Sequence, residues 1–101
     1  MTIDDLYKIL HQLNFPLAYN HFKSPQKPPY LIYMTDDSSN FAADNKVYHK
    51  IDNFAIELYT DKKDIKLETQ LELSLDVHDL YYEKYEAYID TEKLYQVRYE
   101  I

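Results

Sequence analysis

The chain has 101 residues, 46% of them hydrophobic, with a net charge of −7 and no cysteine. That length suits a single domain, residues 1–101, with one modest core. The apolar content excludes a disordered acidic tail, and the missing cysteines exclude disulfides and thiolate metal sites.

Arg98 is the sole arginine. Nucleic-acid binders rely on a basic patch in which arginine is prominent, so direct binding to DNA or to an anionic membrane is disfavoured. No apolar run approaches the roughly 20 residues that span a bilayer. The opening Met1-Thr2-Ile3-Asp4-Asp5 lacks the basic and apolar regions of a signal peptide, so a cytoplasmic site of synthesis is expected.

Ile3, Leu6, Tyr7, Leu10 and Leu13 recur at helical spacing and predict a helix over 3–13. Thr2 and Asp5 stand at capping-box spacing before it. Pro16, Pro25, Pro28 and Pro29 punctuate the next segment, which reads as a short strand at 17–19 and an exposed loop. The run Tyr30-Leu31-Ile32-Tyr33-Met34-Thr35 predicts a strand over 30–35. DDSSNFAADN, residues 36–45, reads as a polar loop.

A long strand is expected over 46–60. Val47, His49 and Ile51 share one parity, and Phe54, Ile56 and Leu58 the other. That switch requires a bulge or bend, placed at Asp52-Asn53. A second helix is expected over 62–76, with Asp61 as its N-cap and Leu67, Leu71 and Leu75 on one face. Alternation of Leu71, Leu73, Leu75 and Val77 favours a strand there instead, but the Lys, Glu and Gln content favours the helix. A hairpin, 81–89 and 94–100, turns at Asp90-Thr91-Glu92-Lys93. The expected architecture is α+β, a mostly antiparallel sheet of four to five strands with two helices packed on one face.

Glycine is absent and tyrosine occurs twelve times. Backbone positions needing positive φ must use the next most tolerant residues, with Asn14, Asn20, Asn40, Asn45 and Asp52-Asn53 as candidates. A glycine-rich phosphate loop is excluded.

Chemistry is hard to find. His11, His21, His49 and His78 form no spaced pair for a metal. Asp36, Ser38 and Asn40 imitate the start of a calcium loop, but Phe41 and Val47 stand where glycine and a bidentate glutamate are needed. Ser24, Ser38, Ser39 and Ser74 have no nucleophile elbow. Tyr81, Tyr82, Tyr85, Tyr88, Tyr95 and Tyr99 could stack on bases, yet Glu83, Glu86, Glu92 and Glu100 interleave with them where a binder carries cations. No catalytic, cofactor or metal residue is assigned, and an enzyme is not expected.

The stretch NFAADNKVYHKIDNFAIELYTDKKD, residues 40–64, resembles small proteins from phages and prophages of low-GC Gram-positive bacteria. So do LAYNHF and PPYLIYM upstream and YYEKYEAYIDTEKLYQVRYEI at the C-terminus. The resemblance covers nearly the whole chain and is similar to tail completion or tail-terminator proteins of long-tailed phages. It implies a structural subunit that forms a ring with copies of itself, commonly a hexamer, around the DNA channel at the head–tail junction. Implied partners are tail-tube and head-connector proteins, with the host cytoplasm during assembly and the virion tail as its locations. Contacts to neighbours are expected at Asn40, Phe41, Ala42, Ala43, Asp44 and Asn45, and at Lys23, Lys27 and Pro28 of the proline-rich loop. The alternative reading is an acidic binding module that inhibits a host factor by mimicking DNA. Against it, the acids are spread along the chain.

Overall fold

In the computed structural model the chain forms α1 (Ile3–His11), β1 (Leu17–Tyr19), β2 (Tyr30–Ala43), β3 (Lys46–Thr60), α2 (Ile65–Val77), β4 (Glu83–Ile89) and β5 (Leu94–Glu100). The structure describes residues 1–43 and 46–101, and side chains outside 37–52. The five strands form one sheet in the order β1-β2-β3-β5-β4. β1 runs parallel to β2 and every other pair is antiparallel, so the fold is α+β.

α1 begins where its cap predicts. The Asp5 amide donates to Thr2 Oγ1 at 3.2 Å and the Thr2 amide to Asp5 Oδ2 at 2.9 Å, satisfying two orphan donors of the first turn. α2 starts later than expected. Asp64, not Asp61, is its N-cap, with Oδ1 accepting from the Leu67 amide at 3.2 Å. Its end is closed by a Schellman arrangement: Leu80 N–H donates to the Leu75 carbonyl and Asp79 N–H to that of Asp76, with Asp79 at φ 55°. Aspartate holds the place that glycine usually takes. Asn14 and Asn20 have the expected positive φ, and Asp79 and Lys93 are two positions the sequence did not reveal.

A core cluster joins Leu6 and Leu10 of α1, Leu71 and Leu75 of α2, and Leu31, Phe54, Ile56, Leu58, Val97 and Tyr99 of the sheet. Register explains the sheet's share. Leu31 lies opposite Leu58, Leu58 opposite Val97, and Ile56 opposite Tyr99, so these side chains occupy one face. Each such leucine contributes roughly 1.5–3 kcal/mol by leaving water.

The expected loop at 36–45 and the strand limit at residue 35 are corrected. β2 continues to Ala43, pairing with β3 as far as Lys46. Composition alone reads as a loop, but the ladder to β3 supplies the hydrogen bonds that composition does not foretell. β5 pairs with β3 only from Ala55 to Thr60. Beyond that, among the described residues, β2 and β3 pair with each other alone as a two-stranded ribbon. The expected irregularity near Asp52-Asn53 sits on the facing strand. Thr35 pairs with Phe54 and Asp37 with Asn53, leaving Asp36 as the extra residue of a bulge. A second register shift falls between Phe41 and Ala42.

Candidate functional site

Side chains of opposite parity to the core form a second face of the sheet. Ile32, Glu57, Arg98 and Tyr85 lie in one cross-strand row, and Tyr30, Tyr59, Gln96 and Ala87 in the next. Arg98 organises this face. Its Nη1 donates to Glu57 Oε2 at 2.6 Å, its Nε to Glu100 Oε2 at 2.8 Å and its Nη2 to Asp36 Oδ1 at 2.5 Å. The bulge turns Asp36 out of the ladder and presents it to the guanidinium. One side chain therefore ties β2, β3 and β5 together at the root of the ribbon.

Burial works against the Arg98 charge, but the hydrogen bonds to Glu100, Glu57 and Asp36 outweigh it and hold the guanidinium above its ordinary range. The planar fork suits this task, because it serves three carboxylates from fixed directions. The cluster still carries excess negative charge, since three carboxylates face one cation.

A polar and aromatic track leads from Arg98 to the proline-rich loop. Glu57 Oε1 accepts from the Tyr59 hydroxyl at 2.8 Å, and Gln96 Nε2 donates to that hydroxyl at 2.7 Å. Burial, with the Glu57 hydrogen bond and charge adding to it, pushes the Tyr59 hydroxyl up to about 12. The Tyr59 ring stacks on Tyr30 with centroids 4.9 Å apart, and Phe22 meets Tyr30 edge-on at 5.3 Å. Phe22 belongs to the loop, so the loop is anchored on the same face as the ribbon root.

Two hollows flank the track. One, of about 280 Å³, lies among Asp36, Asn53, Phe54, Tyr81, Glu83 and Glu100. The other, of about 300 Å³, lies between the 21–26 loop and Tyr30 and Ile32. Among the described residues, no group of three or more His, Asp or Glu is arranged to hold a metal ion, and no helix is long and apolar enough to cross a membrane.

The two sets of expected contact residues are not brought together. Lys23 and Lys27 are exposed, and Pro28, half-buried, precedes Pro29 through a cis peptide. This loop enters β2 at Tyr30. Asn40, Phe41, Ala42 and Ala43 lie at the far end of the same strand, a separation of roughly 40 Å at about 3.3 Å per residue. Their side chains lie outside the described residues, as do Asp44 and Asn45 altogether. The segment that imitates a calcium loop is strand, and its Asp36 serves Arg98. Sequence reasoning missed the Arg98 cluster; its one signal was the alternation Gln96, Arg98, Glu100 around the sole arginine.

No family model matches this chain, and no curated protein matches it.

Proposed function

We propose that this chain is a structural subunit of a phage tail, a tail completion or tail-terminator protein that assembles with its own copies into a ring at the head–tail junction. The observation that carries the reading is the β2–β3 ribbon, in which, among the described residues, two strands run past the sheet paired with each other. A two-stranded ribbon offers strand edges with which a neighbour can pair. A ring needs contacts of this head-to-tail kind.

Two further features support the role. The resemblance of nearly the whole sequence to tail proteins names the setting, the host cytoplasm during assembly and then the virion tail. The net charge of −7 suits a ring through which a polyanion must pass without sticking. Arg98 would fix the angle of the ribbon against the sheet, so that a neighbour engages an already ordered arm at lower entropic cost. Tail-tube and head-connector proteins are the partners this reading requires, and six copies the ring size that the resemblance implies.

The test is native mass spectrometry and electron microscopy of the protein alone and with tail-tube subunits. Discrete rings are expected from the full chain once tail-tube subunits are present. A variant with residues 38–52 replaced by Asn-Gly should keep cooperative thermal unfolding and form none. Rings that survive this replacement, or a chain that stays monomeric beside tail and connector proteins, would overturn the proposal.

A further inference from the structure

α2 carries two apolar stripes, and the core uses only one. Leu71 and Leu75 are buried and Leu67 is half-buried. On the opposite side Ile65, Leu73 and Val77 are 68%, 58% and 77% exposed, with exposed Thr69 between them. Residues 65, 69, 73 and 77 follow one another at intervals of four, so they form one line along the helix. Isolated exposed apolar residues are ordinary, but an aligned row is a patch. The same leucines gave the segment its strand-like alternation in sequence.

Asp64 caps the start of this helix and buried Glu68 lies in its first turn, but other charges on its exposed side run against the dipole. Helices favour acids at the N-terminus and bases at the C-terminus. Here Lys62 and Lys66 stand at the start and Asp76 and Asp79 at the end, with no basic residue in the last turn. All four are exposed, and none forms an ion pair among the described residues.

One occupant satisfies both features. We infer that the outer stripe of α2 docks antiparallel against the α2 of a second copy of this chain. A two-fold axis near residue 71 places Ile65 beside Val77 of the mate and Leu73 beside its Thr69. It also lays the lysine-bearing end of each helix over the aspartate-bearing end of the other, and antiparallel dipoles add to the attraction. The contact is isologous, so it closes at two copies. It is independent of the tail role and of the ribbon. A 13-residue helix is about 20 Å long, which puts the contact at the small, weak end of specific interfaces.

Sedimentation equilibrium of the full chain across the micromolar to millimolar range tests this. A two-copy association step is expected, and Leu73→Asp with Val77→Asp should weaken it by more than about tenfold. Lys62→Glu with Lys66→Glu, or Asp76→Lys with Asp79→Lys, should each weaken it, and all four together should restore it. These residues are exposed, so the fold should persist, with circular dichroism as the check. No association at millimolar concentration would overturn the inference. So would association indifferent to the Leu73 and Val77 changes, or a four-fold charge swap no better than either half.

Discussion

Arg98 Nη2 lies 2.5 Å from Asp36 Oδ1, and this contact joins the last strand of the sheet to the bulge where the ribbon begins. The two residues have unequal weight. Arg98 also neutralises Glu57, whose side chain is only 12% exposed. Arg98→Met leaves that carboxylate nearly buried without its cation, at a cost of about 3–5 kcal/mol. Asp36→Ala removes a more exposed partner and should cost about 0.2–1 kcal/mol. Urea denaturation measures both. Hydrogen exchange should show the amides of β2 beyond Thr35 losing protection in Asp36→Ala while the Leu58–Val97 region keeps it.

Lys93 has φ 55° in the β4–β5 turn, a conformation that costs a residue with a Cβ roughly 1–2 kcal/mol. The chain has no glycine to place there. Lys93→Gly relieves the steric cost but loosens the unfolded chain, so a net gain of about 0.5–1 kcal/mol is expected. Thermal unfolding should then shift upward by about 4 °C. Asn14→Gly should gain less, because asparagine tolerates this region better than lysine does.

These two cases mark what the sequence discloses. The first helix was legible because Thr2, Asp5 and the apolar spacing act within a few residues of one another. The short β1 and the final hairpin were legible for the same local reason. The ribbon was not, because DDSSNFAA has no strand signal of its own and pairs only through β3. The Arg98 cluster was hidden more deeply. Its carboxylates at Glu57 and Asp36 stand 41 and 62 residues away in sequence, and only register brings them together. Asp61 and Asp64 both precede the same apolar pattern, and the bend at 61–62 leaves Asp64 as the cap. The exposed stripe of α2 was visible only as an ambiguity between helix and strand.

Glu68 on α2 is buried, yet it is paired with Lys63 at 2.8 Å and Lys84 at 2.8 Å. Burial alone would raise its carboxyl, but the two ammonium groups prevail and hold it below the ordinary value of 4.5. A depressed folded value means that the stabilisation is complete above the unfolded pKa and is lost as pH falls through the folded one. The stability of the protein should therefore decline below about pH 4.5. Glu68→Gln should flatten that acid limb and lower stability at neutral pH, as seen in denaturant midpoints measured from pH 3 to pH 7.

Tyr59 and Tyr99 should dominate the alkaline limb. Burial raises both hydroxyls, and each donates to a carboxylate, Tyr59 to Glu57 and Tyr99 to Glu72 at 2.6 Å. Their folded values exceed the unfolded value of 10, with Tyr59 at about 12. Stability from them is complete below pH 10 and falls as pH rises through the folded values. Ultraviolet titration should show a late tyrosine fraction that appears only as the fold is lost. Tyr59→Phe should reduce that late fraction by one tyrosine and move alkaline unfolding to higher pH. It leaves Gln96 and Glu57 each without one hydrogen bond, so stability at pH 7 should fall by about 0.5–1.5 kcal/mol. A late fraction unchanged in Tyr59→Phe would show that its hydroxyl is not held by burial and by Glu57.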